Sequence, residues 1–337
     1  MSKQKLTPHG EAPHGNNIAP ALVEHSHSEA DSQLDTTRTG AQAVLKADAH
    51  GHGGVELMEF WRNGFYERGG YALSQAIKED RLQEYINGLT GLKEALQPHG
   101  ETITFRCIEG REPTCGCGIA GCGVLIADSQ GNPRVASVEE MARNIAYSPI
   151  VRNADSNVKF GIAEHPDCGA NGIALKMLQE KDPQHYGSMT PDEFGLLRGQ
   201  AVLDELERIL PGRTIPLKKT TMKELVGPRG RHPEQSLVII GFNGYLNPSN
   251  KELPQAMQVD VGTFTNENDL RLHIATGIKI LLDPHHGPMQ KPIYVYGLGE
   301  KGLIDSYESL VREVIAEMHL PEGSVLFGGM AHVPASA

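Results

Sequence analysis

The chain of 337 residues has only five cysteines, Cys107, Cys115, Cys117, Cys122 and Cys168. An odd count in a chain of this size excludes a simple disulfide framework and favours thiolate chemistry in a reducing, cytoplasmic setting. No apolar run approaches the roughly 20 residues needed to span a bilayer, so no membrane segment is expected. The first residues, MSKQKLTPHGEAPHGNN, carry lysines with no apolar stretch behind them, so no secretory signal is expected either. Basic residues are scattered, PLKK and GPRGR being short loop charges, and the net charge is −11. A surface of that sign does not neutralise a phosphate backbone, which excludes a nucleic-acid binder. Aromatic residues make up only 5%, against 38 glycines and 21 prolines, a composition of many turns.

What is present falls into three stretches. Residues 1–53 are rich in His, Gly, Ser, Ala and Pro without periodicity, and read as a disordered tail. His9, His14, His25, His27, His50 and His52 lie there, mostly as polar flexible residues. Residues 54–100 turn helical in pattern, with Trp61, Phe65 and Leu73 on apolar faces and a break at ERGG, and read as a helical N-terminal arm. Residues 101–337 alternate strand and helix. TITFRCI, GCGVLIA, NVKFGIAEH, TIPLK, SLVIIGF and KPIYVYG are the expected strands. SVEEMARNIAY and TPDEFGLLRGQAVLDELERIL are expected helices opened by Ser137/Glu140 and Thr190/Glu193 at capping-box spacing. NGIALKMLQE, NDLRLHIATGIKILL and LIDSYESLVREVIAEM are further helices. Alternation of this kind predicts an α/β fold with a mainly parallel central sheet flanked by helices. No internal repeat is visible in the residues themselves.

In open α/β sheets, ligands bind beyond the carboxyl ends of the strands. Cys107 closes the strand TITFR, while His165 and Cys168 follow the strand KFGIAE in the stretch AEHPDCGANG. If those strands are near neighbours, two thiolates and one imidazole converge. Zn²⁺ suits such a set, and three protein ligands leave a fourth position for water, whose pKa the metal lowers towards ~7. Two residues beyond Cys107 comes Glu109, and two further Arg111, at alternate positions of CIEGR. Their spacing predicts a carboxylate–guanidinium pair at the rim of the site, with Glu109 orienting the bound hydroxide and Arg111 holding Glu109.

Together, CIEGR (107–111) and HPDCGA (165–170) resemble the β-class carbonic anhydrases, where Cys-x-acid-x-Arg on one strand precedes His-x-x-Cys-Gly-Ala. The likeness covers roughly 100–180 in motif, and 200–320 in fold order alone. It implies a zinc lyase that interconverts CO₂ and bicarbonate, with Cys107, His165 and Cys168 on the metal. It also implies a homodimer or higher homo-oligomer whose N-terminal helices embrace the partner, a role for residues 54–97. The chain differs from that family in having Glu109 where Asp is usual and in lacking its Arg-Asn-Ala segment after the second strand; the insert PTCGCGIAGCG is also foreign to it. Two alternatives stay open: the same fold and zinc site hydrolysing a CO₂ analogue such as carbon disulfide, or an inactive zinc-binding assembly or sensor protein.

Other motifs read more plainly. Cys115, Cys117 and Cys122 match no cluster spacing and read as loop thiols near the entrance. GLGEKG after a strand fits G-x-G-x-x-G, but too little chain follows for a dinucleotide unit, so Gly297, Gly299 and Gly302 read as a tight turn. His285 and His286 in DPHHGP read as a solvated loop.

Overall fold

The structure, a computed structural model, describes residues 70–89, 92, 101–109, 116–221, 224, 236–242, 256–282 and 292–333. All of them belong to one compact unit, Leu34–Ala337. Trp61, Phe65, Arg111, Cys115, His285, His286 and the tail histidines lie outside the described residues.

The first sheet has the order β2-β1-β5-β6, formed by β1 (Thr102–Arg106), β2 (Cys117–Gly118), β5 (Lys159–Glu164) and β6 (Lys218–Lys219), all paired in parallel. Parallel neighbours need a crossover between them. The helices α3 (Val138–Ala146) and α4 (Pro149–Asn153) lie between β1 and β5 in the chain. Between β5 and β6 run α5 (Gly169–Lys181), α6 (Pro183–Tyr186) and α7 (Pro191–Ile209). Ser137 and Thr190 cap α3 and α7, each in a full capping box with the glutamate three residues on, as their spacing predicts.

The second sheet has the order β10-β9-β7-β8, formed by β7 (Ser236–Gly241), β8 (Ala256–Asp260), β9 (Ile293–Gly299) and β10 (Val325–His332), again all parallel. Its central strands β7 and β9 are buried along their whole length because both of their faces are covered. Leu237, Ile239, Ile293 and Val295 join the core formed with Ile274, Ile278 and Leu281 of α8 (Glu267–Leu282) and Val311 and Val314 of α9 (Glu308–Glu317). The alternate residues Val238, Ile240, Tyr294 and Tyr296 form a second core with Leu73 of α1 (Gly70–Lys78) and Leu82 and Ile86 of α2 (Leu82–Asn87). The described part of the arm therefore packs on the second sheet of its own chain. Gln83 of α2 ties it to that sheet's edge, accepting from His332 N and donating to His332 O at 2.7 and 2.9 Å.

Besides TIPLK (214–218), of which only Lys218 lies in a strand, two features depart from the sequence expectation. GCGVLIA is not one strand of the main sheet. Its first three residues belong to a 3-10 turn at Ala120–Gly123, only Leu125–Ala127 is extended, as β3, which pairs antiparallel with β4 (Pro133–Val135), and the strand beside β1 is β2, just before this stretch. Gly121 and Cys122 both take positive φ in that turn, which ends the extended run. The second departure is a repeat that the residues hide. Taken in chain order, β7, β8, β9 and β10 occupy the same places in their sheet as β1, β2, β5 and β6 do in theirs. The corresponding strands β2 and β8 meet edge to edge, where Gln258 N donates to Ile108 O at 3.0 Å.

Candidate metal centre

Strands β1 and β5 are direct neighbours, with Phe105 opposite Ile162, so their carboxyl ends open at the same place. Cys107 follows β1 immediately. His165 follows β5, and Cys168 is the N-cap residue of α5. Between them the chain turns through Pro166 and Asp167, and Asp167 takes a left-handed φ of 63°. That conformation costs less for Asp than for most residues. Asp192, in the first turn of α7, accepts a hydrogen bond from Asp167 N at 2.9 Å and holds the turn from outside.

The ligand atoms of Cys107, His165 and Cys168 all lie within 4.8 Å of one another, and all three residues are buried. The sulfurs stand 3.8 Å apart. Two thiolates bound to one zinc at about 2.3 Å and the tetrahedral angle would stand about 3.8 Å apart, so the pair fits that ion. His165 Nδ1 is 2.9 Å from Pro166 O, and a carbonyl only accepts, so Nδ1 carries the hydrogen and Nε2 is the lone-pair donor. Cys107 is held well below the usual thiol range chiefly because it accepts a hydrogen bond from Cys168, with His165 beside it. Cys168 is pushed well above that range by donating the same bond, by burial and by the Cys107 charge. The two sulfurs thus share a proton that a divalent ion would displace. The residues could hold a metal ion.

Of the expected pair beyond Cys107, Glu109 lies at the centre, 2% exposed, with Oε2 3.8 Å from His165 Nδ1. Arg111 falls outside the described residues, so the Glu109–Arg111 contact does too.

Several residues at the centre carried no signal in the sequence. Gly121 N donates to Cys107 Sγ at 3.4 Å. That turn is fixed by His273 of α8, whose Nδ1 accepts from Ala120 N and whose Nε2 donates to Leu125 O, both at 3.0 Å. Burial lowers the His273 pKa and keeps the ring neutral, as this double role requires. Glu164, the last residue of β5, is buried and accepts from Asn171 Nδ2 at 3.1 Å. Burial raises its pKa to about 7. Its carboxyl lies in a groove made by two glycines of α7. A Cβ at Gly199 would come within 2.9 Å of Glu164 Cγ, and one at Gly195 within 2.3 Å of Asn171 Nδ2.

Of the insert's cysteines, Cys117 and Cys122 are not loop thiols at an entrance. Cys117 lies in β2 opposite Phe105 and is fully buried, and Cys122 is buried with its thiol donating to Ala163 O at 3.2 Å. Gly297 and Gly299 belong to β9 itself, not to a turn after it. A small pocket, with room for little more than one water, is lined by Cys122, Asn144, Phe264, Asp269 and His273 among others, but by none of Cys107, His165 and Cys168. Among the described residues no helix is long and apolar enough to cross a membrane.

Comparison with known protein families, with curated proteins and with solved structures returns no match to this chain. What is shown is an α/β fold with a buried Cys-His-Cys group, at the carboxyl end of a parallel sheet, that could hold a metal ion.

Proposed function

We propose that the protein is a zinc enzyme that reversibly hydrates CO₂ to bicarbonate, as its likeness to the β-class carbonic anhydrases implies. One observation carries the reading. Cys107, His165 and Cys168, drawn from two neighbouring strand ends, converge in a buried group whose sulfur spacing suits tetrahedral zinc. Zinc, when bound, supplies a Lewis acid that makes water a nucleophile near neutral pH.

The chain's own groups do the rest. His165 offers Nε2 because Pro166 O holds Nδ1–H. Gly121 N bonds Cys107 Sγ and draws negative charge from it, which favours a less electron-rich metal. Glu109, buried beside the ligands, accepts a proton-bearing group and orients it. The spacing in CIEGR makes Arg111 the expected partner of Glu109. Thiolate ligands suit a reducing, cytoplasmic setting, and the homodimer implied by the likeness is read from the mass in solution.

The test is zinc analysis of the purified protein together with stopped-flow hydration of CO₂, with carbon disulfide assayed beside it. Zinc at one per chain with CO₂ hydration supports the reading. Turnover of carbon disulfide alone moves it to the analogue. Bound zinc with neither activity leaves a metal-holding assembly or sensor protein, which the buried Glu109, one methylene longer than Asp, favours. In that case Glu109→Asp is the variant expected to open the site.

A further inference from the structure

The strand end that carries Cys107 and Glu109 is fastened by the second sheet. Arg106, immediately before Cys107, is fully buried. Its Nη1 donates to Cys107 O at 2.9 Å, and its Nη2 donates to Gln258 Oε1 at 2.7 Å. The same Gln258, in β8, donates its backbone N–H to Ile108 O at 3.0 Å. One residue thus grips residues 106–108 from both sides of Cys107, once through a guanidinium and once through the main chain. Nothing can be inserted at this seam: a Cβ on Gly118 of β2 would come within 2.0 Å of Gln258 O. Gln258 is itself fully buried, and Asp260, two residues on, is buried beside the Arg106 charge.

Such a buried guanidinium is costly unless its partners are placed for it. A strand end needs only backbone bonds to be stable, and apolar side chains would fill the seam without this cost. What the charged bridge adds is direction: it fixes the carbonyl of Cys107, and so the backbone torsion of the residue that carries Sγ. The described residues of the second sheet hold no Cys-His group of their own.

We propose that Gln258 is a positioning residue for the metal centre, acting through Arg106 on Cys107, so that the second sheet serves the first as a clamp. This rests on the metal-binding reading above, and the experiment separates the two.

Full-length protein is stripped and reloaded with Co²⁺, which reports thiolate ligation by charge-transfer absorption and tetrahedral geometry by its visible bands. Wild-type protein without those bands overturns the metal centre itself. Given the bands, Gln258→Met is expected to shift them and to weaken Zn²⁺ affinity by about 10–100-fold, the loss found when a group that orients a ligand is removed. Gln258→Glu, which keeps an acceptor for Arg106, is expected to restore most of the affinity. Because Gln258→Met leaves a buried charge and risks unfolding, the double variant Arg106→Met/Gln258→Met is measured too, removing both partners at once. A folded double variant with weakened, spectrally altered metal binding supports the clamp. Wild-type affinity and spectrum in either folded variant overturn it.

Discussion

The sulfurs of Cys107 and Cys168 lie 3.8 Å apart across 61 residues of chain, sharing one proton. A divalent ion must displace that proton, so loading acidifies the medium and weakens as pH falls. Cys168→Ser is expected to lose more affinity than any variant of a supporting residue, more than about 100-fold, and to bind no zinc through gel filtration. Elemental analysis of wild type and variant decides this, and retained zinc in the variant refutes the ligand set.

Asp192 and Asp167 give a milder case. The Asp192 carboxylate is exposed, so its bond to Asp167 N adds about 1 kcal/mol at most. Asp192→Ala is expected to lower stability by that amount while loosening the turn between His165 and Cys168. Chelator competition should show faster zinc release with little change in the urea midpoint.

Gly118 tolerates no side chain, since its Cβ position lies 2.0 Å from a backbone oxygen in another sheet. Gly118→Ala is expected to cost about 3 kcal/mol or more, at the upper end of overpacking penalties. By contrast, Gly131→Ala, with nothing near its Cβ, suffers only the strain of φ 83°. Urea unfolding of the two variants measures the difference.

Asp260 supplies a pH signature. Burial raises its pKa from 3.8 to about 7. The folded chain therefore binds more protons than the unfolded chain between about pH 4 and 7, and this group's contribution to stability falls as pH rises through that window. Asp260→Asn removes the effect. The stability of the variant relative to wild type should rise by a few kcal/mol from pH 4 to pH 7 and level off above it. Denaturant titrations of both proteins in chelator, across that range, check the sign.

How far the residues alone disclose the molecule depends on which forces act at each place. SLVIIG is legible because a strand buried on both faces must be apolar throughout, and it is. The helix starts at Ser137 and Thr190 are legible because capping is local chemistry. The trio Cys107, His165 and Cys168 is legible because few residue types bind metal ions and their order is unusual. The strands β8 and β10 are not. AMQVD carries a glutamine and an aspartate that only the facing Arg106 and Cys117 explain, and VLFGGMAH is interrupted by a bulge between Phe327 and Met330. The glycines of CGCG read as loop for the same reason: Gly116 and Gly118 lie against backbone oxygens of Thr104 and Gln258 that belong to other parts of the chain. Likewise His273 and Asn171 look like ordinary helix residues until the turn and the carboxylate they serve are beside them.

The grip of Gln258 on Arg106 also sets an order of events. Its two partners are 152 residues apart. Contacts of such separation form late, because closing the loop costs entropy before anything is gained. A chain folding as it is synthesised therefore completes its first sheet and its Cys-His turn while Cys107 is still unfastened. Until β8 arrives, Arg106 and the Ile108 carbonyl lack the partners that Gln258 supplies on either side of Cys107.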